Sequence, residues 1–486
     1  MTAGAYAETK EKKRTAVSAG CPEGSITIFL SLLLILMLAA MFTFLEAARV
    51  WGLDKKSETD AIQTSNSLLA EYQTDLWEDY GLLFLDGCYG TDTFAVSSLG
   101  ERAAVFSARN LDIHAFDSVL TDISSWNLLG MEVYETEILN YELATDNDGA
   151  AFCQEAAARM ESEISLSAVK SIYSYIIGSS GEEEEEETVE VEETDMQVIL
   201  TENPLDVIAD LKEGGILGVV LSGESVSDKE IDLSESLAER SLQSGTFDTA
   251  EWSGNWTERI LFHEYLLTYY DNCTDEEEGK VLDYEIEYLI AGKSSDKANL
   301  KAVVNRLIAL REAVNLAYLQ TDSEKQETAL AAAAFLCTAA LSPELIPAVK
   351  QSLLAAWAYA ESLSDVRLLL QGEKVALAKT SDQWNTDLLN LSSTITDTDS
   401  GQNSGLTYEQ YLHLLLWAAD DADLAYRAMD LIEQNAGIRM DTQIAAFSGS
   451  CVYTASPLFS AFVSIGDGNP GTYYFSTSVS GTYLAD

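Results

Sequence analysis

The chain has 486 residues, 47% of them apolar, and its 28 Lys and Arg residues stand against 80 Asp and Glu, giving a net charge of −52. This apolar fraction supplies material for hydrophobic cores and excludes a disordered chain, while the acidic surplus disfavours nucleic-acid binding, because phosphates are bound by clustered Lys and Arg. The 6 cysteines form no CxxC pair, which argues against a zinc ribbon or a redox pair and leaves one or two disulfides open.

The first predicted element is a membrane-spanning helix. Residues 26–45 include no charged side chain, and a helix of about 20 residues extends about 30 Å, the thickness of a bilayer's hydrocarbon core. A cleavable secretory signal has a shorter apolar region of about 7–15 residues. Apolar residues then recur at helical spacing through residues 46–85, which predicts that the helix continues as a stalk beyond the membrane.

Basic residues around this helix predict its orientation. Four Lys and Arg residues precede the apolar run, and three follow it closely. Positive charge near a membrane helix tends to stay in the cytoplasm, so we expect a single-pass protein of the cell membrane with a cytoplasmic N-terminus and an extracellular body. Residues 1–24 are then a cytoplasmic basic leader, residues 25–45 the transmembrane helix and residues 46–85 the stalk helix.

The leader and the apolar helix together resemble a known signal. A short basic stretch, Gly24, Ser25 and then ITIFLSLLLIL resemble a class III prepilin signal, in which a membrane peptidase cuts after the glycine. With FTFLEAARV and LWEDYGLL, the chain resembles pilin-like membrane proteins of Tad (tight adherence) pilus clusters, and more closely a large uncharacterised family of such proteins in Gram-positive bacteria. The resemblance implies a pseudopilin without enzymatic activity, whose partners are the bilayer, other pilus subunits, an assembly platform and the prepilin peptidase.

One position departs from the pilin pattern. Type IV pilins carry a glutamate at the fifth residue of the mature chain, where cleavage after Gly24 would place Phe29. Glu46 lies beyond the predicted span and does not replace that carboxylate. The resemblance therefore implies a minor or accessory position in a pilus, and an uncleaved signal anchor stays open as the alternative.

The remaining chain is predicted to form an α+β exterior. Residues 86–178 are expected to mix a strand in MEVYETEILNYEL with a helix that starts near Cys153. Residues 179–198 form an acidic linker, because the consecutive glutamates 182–187 repel each other and oppose compaction. Residues 199–486 form a helix-rich α+β domain that ends in antiparallel β-strands.

Periodicity within the last domain predicts individual elements. WTERILFHEYLLTYY and ANLKAVVNRLIALREAVNLAYL have helical spacing, and three long successive helices are expected to pack antiparallel through short loops. LDYEIEYLIAG, MDTQIAAFSGSCVYT, LFSAFVSI and TYYFSTSVSGTYL alternate as strands do. Gly466, Gly468 and Gly471 match the GxGxxG spelling, but strand-like sequence follows them, so we predict a hairpin turn rather than a dinucleotide site.

No catalytic, cofactor or metal site is assigned from the sequence. His263 and His413 lie in apolar helical patterns and are expected to be hydrogen-bonded packing residues, since no HExxH motif is present. On a strand, the acidic side chains of DYEIEY would share one face, able to bind a cation or simply solvated. Two other functions stay open: a membrane-tethered cell-wall glycan hydrolase, which needs a cleft with a raised-pKa carboxyl, and an adhesion module with an exposed patch that includes Trp252 and Trp256.

Overall fold

The computed structural model describes most of the chain between the leader and the C-terminus. The residues described are 23–91, 93–111, 130–163, 200, 202–213, 215–221, 225–247, 250, 252–275, 279–339, 341–395, 405–459 and 471–484.

A single helix carries the apolar segment and continues beyond it. Helix α1, Glu23–Leu69, has 47 residues, which confirms that one helix extends past the predicted span. The predicted stalk to residue 85 is wrong in its last part, because the chain leaves the helix after Leu69 and forms a second helix, α2, at Thr74–Tyr80. Tyr72 pairs with Leu85 in an antiparallel bridge, so tertiary pairing ends the helix before its apolar periodicity does.

The other elements follow in chain order. The helices are α3 Val96–Leu111, α4 Asp146–Glu163, α5 Pro204–Glu213, α6 Ile216–Val220, α7 Trp256–Tyr269, α8 Glu285–Ala291, α9 Asp296–Thr321, α10 Ser323–Ala339, α11 Ile346–Leu370, α12 Leu391–Thr394, α13 Tyr408–Leu416 and α14 Asp421–Ala436. The strands are β1 Leu85–Asp86, β2 Met131–Leu143, β3 Gln443–Ala455 and β4 Tyr473–Thr482. The architecture is α+β, as the sequence predicts.

The described strands form one small antiparallel sheet. Its order is β1-β3-β2, and β4 also pairs with β3. Leu85 lies opposite Ile444 in the register of β1 and β3. Strands β2, β3 and β4 confirm three predicted strands. The predicted strand LFSAFVSI is wrong at Leu458 and Phe459, which lie outside any strand, and its other residues lie outside the described residues. Gly471 precedes β4, where a dinucleotide fingerprint requires a helix; residues 466 and 468 lie outside the described residues, so the predicted hairpin turn stays a prediction.

Contacts divide the chain into two compact units, each assembled from separate segments. The first unit comprises residues 1–64, 104–136 and 450–478. The second comprises residues 65–103, 137–449 and 479–486 and contains a continuous hydrophobic cluster.

The second unit joins segments that the sequence assigns to different domains. Helix α4 packs against α7, where the Phe152 and Phe262 rings lie 6.2 Å apart between centroids. The structure therefore places residues before and after the acidic linker in one unit, because apolar faces from both are needed to close its core. The linker, residues 179–198, lies outside the described residues.

Helices α9 and α11 of the second unit lie antiparallel, whereas antiparallel packing of three successive helices would make the first and the third parallel. Asn315 in α9 contacts Ser362 in α11, and Gln320 contacts Gln351, so the contacts run in opposite directions along the two helices. Helix α10, which lies between them in the chain, also packs against α11.

The predicted strand in DYEIEY is wrong, because these residues form helix α8. The backbone N–H of Tyr284 donates to the Asp296 carboxylate at 3.2 Å just before the helix, and Gly292 ends it with a φ of 63°. Every residue of α8 is buried, including Glu285 and Glu287. A helix that is buried all round has no polar face, so its spacing does not distinguish it from a strand.

Candidate functional site

The most extensive exposed apolar surface in the described residues is the first half of α1. Its most apolar 18-residue stretch has a mean hydropathy of 2.8, and none of it is buried. Leu36 is 68% exposed and Phe44 is 77% exposed. Among the described residues this is the one helix long and apolar enough to cross a membrane. Gly24 and Ser25, the predicted cleavage site, lie in its first turn.

A buried carboxylate lies directly beyond the apolar run. Glu46 is 4% exposed, and its oxygens accept hydrogen bonds from the backbone N–H groups of Leu458 at 3.3 Å and Phe459 at 3.0 Å. Arg49 pairs with the same carboxylate at 3.3 Å. Burial and a hydrogen bond to Glu46 raise the pKa of Tyr473 to about 12. We call these five residues the Glu46 cluster; it satisfies the first charge after the apolar run.

A second polar cluster joins α1 to α3 and β3 within the first unit. Asp60 is fully buried and accepts hydrogen bonds from the Ser107 hydroxyl and, at 2.8 Å, from the Tyr453 hydroxyl. Burial raises the pKa of Asp60, and these hydrogen bonds partly oppose the rise. The residues lie on three elements and hold the helix beyond the span to the sheet, a structural role.

One open pocket of about 520 Å³ lies beside the start of α4. Asn147 and Asp148 have φ values of 50° and 57°, so the chain takes a left-handed turn at its rim. Arg259 pairs with Asp421 at 3.0 Å and lies 4.7 Å from the Trp417 ring centre. The lining residues are Asn147, Asp148, Ala150, Cys153, Trp252, Ser253, Gly254, Arg259, Trp417, Ala419, Asp420, Asp421 and Ala422.

The chemistry of this pocket is that of an ionised carboxylate. Burial alone would raise the pKa of Asp421, but the neighbouring His263, the Trp252 indole N–H and the Arg259 charge hold it below the usual range. An ionised Asp421 cannot donate a proton as a glycosidase acid does. Trp252 donates its indole N–H to Asp421 at 3.0 Å and so belongs to this wall, whereas Trp256 is 42% exposed.

The two histidines of the helical patterns lie together in the second unit. Their ring centroids are 5.7 Å apart, and both side chains are buried, which confirms the packing role. The Nε2 atom of His263 lies 3.8 Å from the Asp421 carboxylate, too far for a hydrogen bond, so the predicted hydrogen bonding is wrong for His263 although the two side chains interact electrostatically. Burial lowers the pKa of both, that of His413 to about 3 with a contribution from His263. Both stay neutral at physiological pH.

The described residues contain neither a set of metal ligands nor a disulfide. No set of three His, Cys, Asp or Glu side chains in this part of the chain is arranged to hold a metal ion. The cysteines described, at positions 88, 153, 273, 337 and 451, are free thiols. Residues 21 and 114 lie outside the described residues.

Carboxyl groups with raised pKa values are present, but in packed surroundings. Burial raises the pKa of Glu155 to about 7 and that of Asp430 to about 6, and it also raises the pKa values of Glu285 and Glu287. Glu287 accepts hydrogen bonds from Tyr408 at 2.7 Å and from the Cys273 N–H at 3.2 Å. None of the four carboxyl groups lines the pocket above or either of two further pockets of about 570 and 370 Å³.

The sequence reasoning missed a cluster of four buried charges at α9 and α11. Arg311 pairs with Asp365 at 3.0 Å, and Lys379 pairs with Asp365 at 2.5 Å and with Glu361. All four side chains are fully buried, and Glu361 also accepts hydrogen bonds from the backbone N–H groups of Asn385 and Thr386. A signal was present in α11, because Glu361 directly follows eight consecutive apolar residues, 353–360. We call these four residues the buried ion cluster.

Comparisons with known proteins give one match. The sequence profile of a family of unknown function (DUF5702) matches residues 195–456, which is more than half of the chain and includes the buried ion cluster. No curated protein and no solved structure matches the chain. The chain therefore belongs to the DUF5702 family, whose function is unknown.

Proposed function

We propose that this protein is a non-enzymatic, single-pass membrane component of a Tad or type IV-like pilus or of its assembly machinery. One observation carries the proposal: the exposed apolar segment and a folded unit share the uninterrupted helix α1. An exposed apolar surface of this length is unfavourable in water. Either a lipid bilayer or a bundle of equivalent helices would cover this apolar surface. Pilin-like proteins occupy the bilayer before assembly and the helix bundle in the filament.

The mechanism is physical rather than catalytic. Residues 26–45 partition into lipid with the N-terminus in the cytoplasm and the acidic body outside the cell. After cleavage between Gly24 and Ser25, the apolar helix packs against the helices of other pilus subunits and is moved out of the membrane by an assembly ATPase encoded elsewhere. Phe29 at the fifth mature position favours a minor or accessory place in the pilus.

The arrangement of carboxyl groups favours this proposal over a glycan hydrolase. A glycosidase needs a protonated carboxyl beside a second carboxylate in an open cleft. Glu155 and Asp430 have raised pKa values but lie away from the three pockets described, and Asp421 lies in a pocket but is ionised. The observations favour no particular target for an adhesion module.

The mature N-terminus tests the pilin-like part of the proposal. The full chain is expressed with a prepilin peptidase in a Gram-positive host, and intact protein from the membrane fraction is analysed by mass spectrometry. We expect a chain that begins at Ser25, and we expect Gly24→Val to block cleavage while Gly20→Val, four residues earlier in the leader, does not. A wild-type chain that keeps the leader would support an uncleaved anchor and contradict the pilin-like part.

Carbonate extraction tests the anchoring part separately. A protein anchored by residues 26–45 stays in the membrane pellet after washing at alkaline pH. Release of the intact chain into the supernatant, with residues 26–45 still attached, would refute membrane anchoring whatever the state of the leader.

A further inference from the structure

The loop of residues 456–459, which directly follows β3, lies at the end of the apolar helix. The Phe459 ring stacks on the Phe42 ring with 5.3 Å between centroids and 5° between planes. Phe42 lies three residues before the end of the charge-free run, a distance of about 5 Å along the helix axis. Phe459 therefore lies at the depth where the proposed membrane span ends.

Two neighbouring large apolar side chains point outward from this loop. Leu458 is 49% exposed and Phe459 is 43% exposed, although their backbone N–H groups are held by the Glu46 carboxylate. The polar backbone faces inward and the apolar side chains stay accessible. With Phe42, which is 39% exposed, they extend the apolar surface of α1 sideways.

The Glu46 cluster makes this position compatible with a membrane boundary. An unpaired carboxylate at the edge of the hydrocarbon region is unfavourable, but Glu46 has two N–H donors and the Arg49 guanidinium. Phe42, Glu46 and Arg49 lie on one face of the helix, because they are separated by four and three residues.

The opposite face of the helix carries a tryptophan. Trp51 is half a turn round from Phe42, is 67% exposed, and lies about 9 Å beyond Leu45 along the axis. Tryptophan is enriched at that level, where the headgroups begin.

We propose that Leu458 and Phe459 form a second membrane contact, inserted beside α1 at the boundary between the headgroups and the acyl chains of the outer leaflet. Glu46 holds the loop in place through its backbone. The occupant of this apolar surface is phospholipid, because the surface is continuous with the segment that the lipid covers. This inference rests on the proposed anchoring by residues 26–45 and adds a lipid contact some 400 residues later in the chain.

Photolabelling from the lipid tests the contact. The full chain is placed in nanodiscs of phosphatidylcholine and phosphatidylglycerol that contain a phospholipid with a diazirine near the glycerol end of one acyl chain. After irradiation, proteolysis and mass spectrometry locate the adducts. We expect adducts in peptides from residues 26–45 and in the peptide with Leu458 and Phe459, and background labelling at Phe335, which is 48% exposed in the second unit.

The outcomes separate this inference from the proposed function. Labelling of residues 26–45 with only background at Leu458 and Phe459 would overturn the lipid contact and leave the anchoring intact. Absence of labelling from both would overturn the anchoring as well. Cross-links from the loop to a second protein chain in place of lipid would also overturn the contact. None of these readings needs a variant.

A matched pair of variants tests the role of Glu46. In Glu46→Ala, labelling at Leu458 and Phe459 should fall by at least about tenfold, because two hydrogen bonds to a charged group are lost, while labelling of residues 26–45 stays unchanged. The control Glu58→Ala removes a carboxylate from an exposed pair with Lys55 on the same helix and should leave both signals unchanged. Equal loop labelling in the two variants would refute the role of Glu46.

Discussion

Replacing Arg311 with Met should destabilise the second unit far more than the same change at the surface. In the buried ion cluster, Arg311 and Lys379 balance Asp365 and Glu361, and all four side chains are fully buried. Removing the guanidinium leaves the cluster with one excess negative charge in a low-dielectric environment. Burial would raise the pKa of Asp365, and it is Arg311 and then Lys379 that hold it below the usual range.

The magnitude follows from what Arg311 contacts. Its guanidinium donates to Asp365 at 3.0 Å, to the Leu377 carbonyl at 2.7 Å and to the Tyr411 hydroxyl at 3.0 Å. Breaking a buried ion pair by removing one partner lowers the free energy of unfolding by about 3–5 kcal/mol. The double variant Arg311→Met, Asp365→Leu restores charge balance and should be more stable than the single variant by about 1–3 kcal/mol.

Urea denaturation of the full chain in a non-ionic detergent, followed by tryptophan fluorescence, measures the effect. With an m-value on the order of 3 kcal/mol per molar urea, the midpoint for Arg311→Met should fall by about 1–1.7 M. Arg102→Met is the control, because Arg102 forms an exposed pair with Glu71 and its loss should leave the midpoint nearly unchanged. Equal midpoints for the two single variants, or no recovery in the double variant, would refute the reasoning.

Three further predictions concern single residues. Burial raises the pKa of Glu155 to about 7 in the folded chain, so the free energy of unfolding should fall by about 2–3 kcal/mol as the pH rises from the unfolded pKa of about 4.5 to 7. Glu155→Gln should remove this decline in urea titrations at a series of pH values, and the same pH dependence in the variant and the wild type would contradict it. Gly449→Ala should lower the free energy of unfolding by about 2–3 kcal/mol, since its Cβ would lie 2.1 Å from the Glu137 carbonyl oxygen. The control Gly437→Ala, which has open space and a φ of 69°, should lower it by only about 1 kcal/mol. Equal losses in the two variants would show that the sheet accommodates the added methyl group. Asn255→Ala should lower the thermal midpoint by removing about 1 kcal/mol of capping at the start of α7, where Asn255 accepts from two backbone N–H groups, and an unchanged midpoint in circular dichroism would show that the cap is dispensable.

Local periodicity was sufficient for elements with one apolar face. Strands β2, β3 and β4 and helices α7 and α9 lie where the spacing of their apolar residues predicts them. Helix α8 was predicted as a strand, because burial on all sides removes the helical periodicity of its apolar residues. The stalk was predicted too long, because the pairing of Tyr72 with Leu85 ends α1 while the helical spacing continues.

The candidate sites also differ in whether the sequence alone can reveal them. The apolar span and the predicted cleavage residues Gly24 and Ser25 are properties of a continuous stretch and can be read without a fold. The partners of Glu46 come from residues 458 and 459, and the four members of the buried ion cluster come from two helices and a loop.

The sequence by itself determined that residues 26–45 form a helix able to span a bilayer and that an acidic α+β body follows, because length, charge and periodicity are local or additive properties. Only the tertiary structure decided which of the 80 carboxylates are buried and what neutralises them. A carboxylate leaves water only where donors or cations from other segments meet it, and that meeting depends on how distant parts of the chain pack.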